Sequence, residues 1–351
     1  MKSHPRARDA GLACGALPMG ELNSIADVPG VRVGHCTLVE GEIRTGVTAV
    51  IPHGGNLYRE KPMAAVHVLN GFGKSAGLVQ VEELGTIETP ILLTNTLSVG
   101  TCCTALVRHA IEHNPDIGRE TATVNPVVFE CNDGYLNDIQ ALAVTEEHAR
   151  AALARASSHF EVGSVGAGCG MSTFGFKGGI GSSSRRIDLD GRSYHLGILV
   201  LSNFGRSGDL RLPDGRIIAP PKGHMEKRAP EKGSIIIIAA TDAPLSDRQL
   251  KRIIRRSGVG LARLGSFWGH GSGDIALGFT TANVLLHDEK SDLVDIRILN
   301  ENRIDLLFEA MADATQEAVL DALVAAGSMT GRSWHYRPAL VDALSLSSSD
   351  A

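Results

Sequence analysis

Aromatic side chains are scarce in this chain, only 4% of its 351 residues, and there is no surplus of positive charge. The formal net charge is -5, and Lys and Arg are scattered instead of gathered into a stripe, so nucleic acid is not an expected partner. No stretch approaches the roughly 20 apolar residues of a membrane helix. The opening MKSHPRARDAGLACGALPMG has basic residues but not the apolar run of a signal peptide, and a cytoplasmic protein is expected. Six cysteines (Cys14, Cys36, Cys102, Cys103, Cys131, Cys169) show no CxxC pairing, which signals neither a zinc ribbon nor a disulfide scaffold. They read as small buried hydrophobes. His109 and His113 lie four apart on a helical stretch, but without an HExxH pattern, and no metal is expected.

Glycine, by contrast, is abundant, with 40 residues that imply tight turns and close backbone approaches. The runs VRVGHCTLV, TGVTAVIP, AAVHVL, TPILLTNT, HLGILVLSN and SIIIIAAT read as strands. Amphipathic period predicts helices over Val99–Glu112 and Glu146–Ala156, and another starting at an N-cap, Ser246, and carrying Leu250, Ile253, Ile254, Leu261 and Leu264 on one face. A fourth spans Ile304–Ala326, with Leu307, Met311, Ala314, Ala318 and Leu323 in its buried stripe. Together these make an α/β or α+β layered protein. The segment 211–233, rich in Pro, Gly and charge, reads as an exposed loop, and the end LSLSSSDA as disordered.

One short motif raises a chemical question. GHGSGDIALGF (269–279) sets Ser272 between two glycines. The hydrolase elbow GxSxG fails here, since His270 and Asp274 stand where glycines belong. An N-terminal nucleophile fits better: the serine hydroxyl attacks the carbonyl of the residue before it, and water releases a new N-terminus. Gly271 tolerates the strained backbone that this requires. The freed α-amino group, with a reference pKa of about 7.7 to 8.0, then suits a general base for its own hydroxyl. Downstream, DIALGFTTANVLL reads as a strand that would hold the new terminus rigidly.

GHGSGDIALGFTTAN resembles the self-cleavage segment of the DmpA-type aminopeptidases, the L-aminopeptidase/D-esterase family that includes the β-peptidyl aminopeptidases. SIADVPGVRVGHCTL, GVTAVIPHGG, TNTLSVGT, ECNDGYLNDI, GAGCGMSTFGFKGGIGSSSR and LSNFGR also match, in the family's order and over nearly the whole chain. The resemblance implies a four-layer αββα sandwich of the type shared with ornithine acetyltransferases. It implies a single self-processing domain, 1–351, cut into fragments 1–271 and 272–351, and a cofactor-free homo-oligomer acting on short peptides, amides or esters. Ser272 falls on the family's nucleophile and Gly271 on its cleavage position. Asn203, in LSNFG, falls on an oxyanion-holding asparagine, and a side-chain amide suits that charge.

Other carried-over roles stay open. Tyr135 is the tyrosine of ECNDGYLNDI expected near the nucleophile, although Asn132 is the alternative in a different register. The family's hydroxyl and glutamate on the late helix fall on Thr315 and Glu317, or, shifted by one, on Ala314 and Gln316. Asn95 in TNT, and Lys177 and Gly178 in the glycine-rich stretch that has eight glycines from Gly163 to Gly181, are placed by the substrate cleft. That stretch lacks GKS/T and a Rossmann context, so close packing is preferred to phosphate binding. Two other activities remain in view: an acyltransferase of the same fold, and an unprocessed binding protein. Threonine at the nucleophile position in the ornithine acetyltransferases favours the hydrolase over the first.

Overall fold

The computed structural model describes residues 5–221, 223 and 233–347. Two sheets form its centre. Strands β1 (Arg32–Glu40), β2 (Ile43–Ile51), β4 (Ile91–Asn95) and β5 (Val127–Cys131) form one, in the order β1-β2-β4-β5. The other contains β3 (Glu60–Gly71), β8 (Gly179–Leu189), β9 (Arg192–Asn203), β12 (Ser234–Thr241) and β13 (Gly273–Leu286), in the order β3-β13-β12-β9-β8. Three two-stranded ribbons complete the strands: β6 (Ser172–Thr173) with β7 (Phe176–Lys177), β10 (Leu210–Arg211) with β11 (Ile217–Ile218), and β14 (Met329–Thr330) with β15 (Tyr336–Arg337).

Side chains alternate across a strand, so each sheet has two faces to cover. Ile236 and Ile238 of β12 and Ile275, Leu277 and Phe279 of β13 meet Val50, Leu93, Val127 and Phe129 of the facing sheet. The intervening Ile235 and Ile237, with Ile198 and Val200 of β9, pack instead on Met311, Ala314 and Ala318 of helix α6 (Asp305–Ala325). SIIIIAAT is apolar on both faces because both are covered. The outer face of the smaller sheet (Val47, Ala49, Leu92, Val128) lies under helices α2 (Val99–His113) and α3 (Glu146–Ala154). The result is helix, sheet, sheet, helix: the αββα sandwich expected from the resemblance. Shorter helices α1 (Leu78–Leu84), α4 (Asp247–Ile254), α5 (Ser257–Arg263) and α7 (Leu340–Ser347) fill in around it. No helix among the described residues is long and apolar enough to cross a membrane.

Two expectations, the single helix from Ser246 and the disordered tail, need correction, and two other segments hold strands that the sequence did not declare. The helix starting at the Ser246 cap is two helices, broken after Ile254, where Gly260 of the second lets its backbone approach Ala312 of α6 more closely than a Cβ would allow. The glycine-rich stretch runs into a full strand, β8, whose Gly181 admits α6: a Cβ there would sit 1.9 Å from the Ala318 carbonyl. Residues 344–347 of the tail read as disordered belong to α7, while 348–351 lie outside the described residues. The loop 211–233 contains part of the β10–β11 ribbon, and residues 222 and 224–232 lie outside the description.

Candidate active site

Four strands of the larger sheet bring their ends into one row. Gly273 pairs with Gly71 of β3 and Ser234 of β12, and Ser234 pairs with Asn203 of β9. In the facing sheet β4 and β5 are parallel and end together, Asn95 beside Cys131. Links across the layers show that this is the same end of the sandwich: the Cys131 thiol points to the Leu201 carbonyl, and the Asn203 amide nitrogen donates to the Asn132 carbonyl at 2.9 Å. Ser272 sits on this rim, one residue before β13 begins.

The peptide Gly271–Ser272 lies in a tight turn closed by the Ser272 N–H on the Gly269 carbonyl at 2.9 Å. Trp268, which leads into it, takes a left-handed φ of +53°. The Asn70 side-chain amide faces the turn, donating to the carbonyl of Gly269 at 3.0 Å and to that of Ser272. Behind the serine, the Gly273 N–H is held by the Ser234 hydroxyl at 3.1 Å. The Ser272 hydroxyl donates to Asp274 Oδ1 at 2.6 Å, with both residues buried. Its partner is thus a carboxylate and not the histidine of a hydrolase elbow.

Asn203 has a fixed orientation. Its Oδ1 accepts the Ser172 N–H at 2.8 Å while Nδ2 reaches Asn132 O, so the structure brings Asn203 and Asn132 together. Tyr135 has its own partners: its ring stacks on His335 with centroids 4.6 Å apart, under the Arg337 guanidinium, and its carbonyl accepts from His335 Nδ1. It anchors the segment after β5 to the chain around β15.

Thr315 and Glu317 are not brought to Ser272. Thr315 is buried on α6 with no hydrogen-bond partner for its hydroxyl, close to Gly260 of α5. Glu317 accepts from Arg8, Asn23, Arg185 and the Cys14 N–H. Arg185 pairs with Leu196, Leu196 with Thr241, and Thr241 with Thr280, seven residues along β13 from Gly273. At about 3.3 Å per residue that row lies roughly 20 Å from the rim, and the Gly181 row, which Ala318 abuts, roughly 10 Å, so Glu317 overlies the middle of β13 and not its head. In the shifted register, Ala314 belongs to the core and Gln316 borders the cleft lined by Ala13, Cys14, Arg263 and Asp313.

Asn95 is buried, donating to Thr45 and capping the turn after β4 through Leu97 N–H. Lys177 is wholly buried, and Nζ meets the carbonyls of Gly168, Met171 and Gly178 at 2.7 to 3.0 Å, which matches the three N–H groups of an ammonium. Burial pushes that ammonium down to about 7. Gly178 is needed for packing, since a Cβ would lie 2.4 Å from the Ser202 carbonyl. Both residues brace the backbone beneath the rim. His113 bonds to the His109 carbonyl within their own helix, and no group of three or more His, Cys, Asp or Glu suited to a metal is gathered among the described residues.

Two groups at the rim are not singled out in the sequence, although the second opens the matched stretch ECNDGYLNDI. Asn70 is one, described above. Glu130, at the end of β5, is the other: its carboxylate accepts the Lys74 N–H at 2.8 Å and the Thr96 hydroxyl, and is only 3% exposed. Gly73 fills the space between it and Gly273; a Cβ at Gly73 would lie 3.6 Å from Glu130 Oε1 and 3.7 Å from Gly273 Cα.

A buried serine one residue ahead of a central strand, at one end of an αββα sandwich, defines the N-terminal-nucleophile class of hydrolase. The chain belongs to peptidase family S58, whose model matches residues 23–337, and it is a serine aminopeptidase/amidase. It is 39% identical to the β-peptidyl aminopeptidase BapA of Sphingosinicella microcystinivorans, over 93% of this chain and 87% of that one. Among solved structures it is similar to the PH0078 protein of Pyrococcus horikoshii OT3, with 48% identity, a TM-score of 0.91 and 99% of each chain covered. It also matches the L-aminopeptidase D-Ala-esterase/amidase of Ochrobactrum anthropi, described as a prototype serine aminopeptidase with a variant Ntn hydrolase fold. That match has 34% identity and a TM-score of 0.87, covering 99% of this chain and 100% of the other.

Proposed function

We propose that this chain cuts itself between Gly271 and Ser272 and then uses Ser272, with its new α-amino group as base, to release N-terminal residues from short peptides, amides or esters. The observation that carries the reading is the turn Gly269–Ser272 at the head of β13, which sets a susceptible peptide on a rigid strand end. In turnover the amine takes the hydroxyl proton, Oγ attacks the substrate carbonyl, and the Asn203 amide stabilises the oxyanion. An aminopeptidase must also tell a free amine from a blocked one. Glu130, the carboxylate beside the nucleophile strand, has the charge to bind that ammonium. β-Peptides, on which the BapA relatives are named as acting, are included in this substrate class.

The reading extends to a homo-oligomer in the cytoplasm. Leu293, Val294, Ile296 and Ile298 are exposed along one irregular segment, an apolar strip of the kind covered when copies associate. All six cysteines are free thiols, as in a reducing compartment.

Intact mass under denaturing conditions tests the central step. Two fragments of roughly 29 and 8 kDa by share of chain length, in place of one 37.1 kDa species, are expected for the wild type. A Ser272→Ala chain should remain whole and inactive. An uncut but active Ser272→Ala protein would remove the assignment.

A further inference from the structure

In the uncut chain Ser272 lacks the base it is to use later. Its nitrogen is then a peptide amide, and that N–H is donated to the Gly269 carbonyl. The first proton must therefore go to another group. Residues two apart on an extended chain project to the same side, which explains how the spacing Ser-Gly-Asp brings a carboxylate to the hydroxyl. Asp274 Oδ1 stands 2.6 Å from Ser272 Oγ, and the two residues are 1% and 0% exposed, so water does not compete for the contact. Glu130 is held by the Lys74 N–H and Thr96, and His270 turns its ring toward Phe72, with centroids 6.1 Å apart.

Given cleavage at Ser272, we infer that Asp274 is the general base of self-cleavage, a role distinct from that of the α-amino group in turnover. Asp274 takes the Oγ proton as Oγ bonds to the Gly271 carbonyl carbon. The carbon–nitrogen bond then breaks, and the protonated Asp274 returns its proton to the leaving Ser272 nitrogen. This leaves a Gly271 ester on Oγ and a free amine. Water adds to the ester, Gly271 departs as a carboxylic acid, and Oγ regains a proton. One peptide bond and one water have become an acid and an amine, with no other reactant.

The test follows full-length chains by intact mass after cell-free synthesis, with and without hydroxylamine, which splits an ester but leaves an amide. Asp274→Asn should slow splitting about 100-fold or more and stay whole in hydroxylamine, because the ester never forms. Splitting at the wild-type rate, or rapid splitting with hydroxylamine, would overturn the proposal. If the Asn variant does not melt cooperatively, Asp274→Glu decides: it keeps a carboxylate and should split at a rate between wild type and Ser272→Ala. A cooperatively melting Glu variant as inert as Ser272→Ala also overturns it. If the wild type stays whole, or Ser272→Ala splits, the Ser272 assignment itself has failed.

Discussion

Arg185 and Glu317 meet at 2.9 Å with both side chains fully buried, and they come from opposite sides of the Gly271–Ser272 bond. Arg8 and Asn23, also upstream, donate to the same carboxylate. Arg6 with Asp321 and Arg263 with Asp313 repeat the pattern. After the cut proposed above, these pairs hold α6 in place against the rest of the sandwich. Removing one partner of a buried pair costs about 3–5 kcal/mol. Glu317→Ala should accordingly lower the denaturation midpoint steeply while leaving turnover by the folded protein unchanged. A Glu317→Ala enzyme of wild-type stability but without activity would give Glu317 a part in catalysis.

The same residue sets an acid limit. Burial alone would raise the Glu317 carboxyl, but the Arg8 hydrogen bond, the Arg185 charge and the Asn23 and Cys14 N–H bonds together hold it below its ordinary 4.5. A carboxyl lowered in the folded state adds stability that is complete above its unfolded pKa and disappears as pH falls through the folded one. The stability difference between wild type and Glu317→Gln should therefore be constant from neutral pH to about 5 and shrink below 4.5. Urea titrations at several pH values measure it, and a difference that widens in acid would contradict the assignment.

Much of this was legible in the sequence. SIIIIAAT and the Ala-rich α6 declared themselves by apolar runs and period, and Ser272 by its glycine neighbours. β8 did not, because GIGSSSRRIDL has serines and arginines where a buried strand normally has aliphatics; Ser182 and Ser183 are satisfied by carbonyls of Ile198 and Ala314, and Arg185 by Glu317. Hydroxyl-x-carboxylate on α6 is a true feature, but spacing along a helix says nothing about which end of a sheet it overlies. Asn70 and Glu130 come to the rim from β3 and β5, distant in sequence from Ser272, so only the assembled layers bring them there.

Asn203 provides a kinetic test. An amide carries two N–H groups, and one is engaged by Asn132 O. If the other meets the oxyanion, Asn203→Ala should reduce kcat about 100- to 1000-fold. Steady-state kinetics on an aminoacyl amide, with a thermal melt to confirm folding, read this directly. Unchanged kcat in a folded variant would remove the role.

Glu130 should act on binding of the amine. Glu130→Gln keeps the shape and one acceptor oxygen for the Lys74 N–H, turns an amide NH2 toward the Thr96 hydroxyl, which can accept from it, and removes the charge. A hydrogen bond to a charged group is worth about 1.5–3 kcal/mol, so KM for a substrate with a free amine should rise roughly 10- to 100-fold. A des-amino ester of the same acyl group should be handled as before. An equal loss on both substrates would mean that Glu130 shapes the rim and does not read the ammonium.

Asn70 separates processing from turnover. Its amide donates to the carbonyls of Gly269 and Ser272, which flank the Gly271–Ser272 peptide on either side, and so braces the turn that carries it. After the cut proposed above, the Gly269 carbonyl no longer precedes Ser272 in the same chain, and half of that restraint has no further purpose. Asn70→Ala removes hydrogen bonds worth about 0.5–1.5 kcal/mol each, so the time course of splitting should slow by roughly one order of magnitude, with less effect on kcat of the matured enzyme. Asn70→Asp, which sets a carboxylate against the same carbonyls, should slow splitting further. Equal losses in splitting rate and in kcat would instead place Asn70 in the turnover site, where it would act on Ser272 after the amine is free.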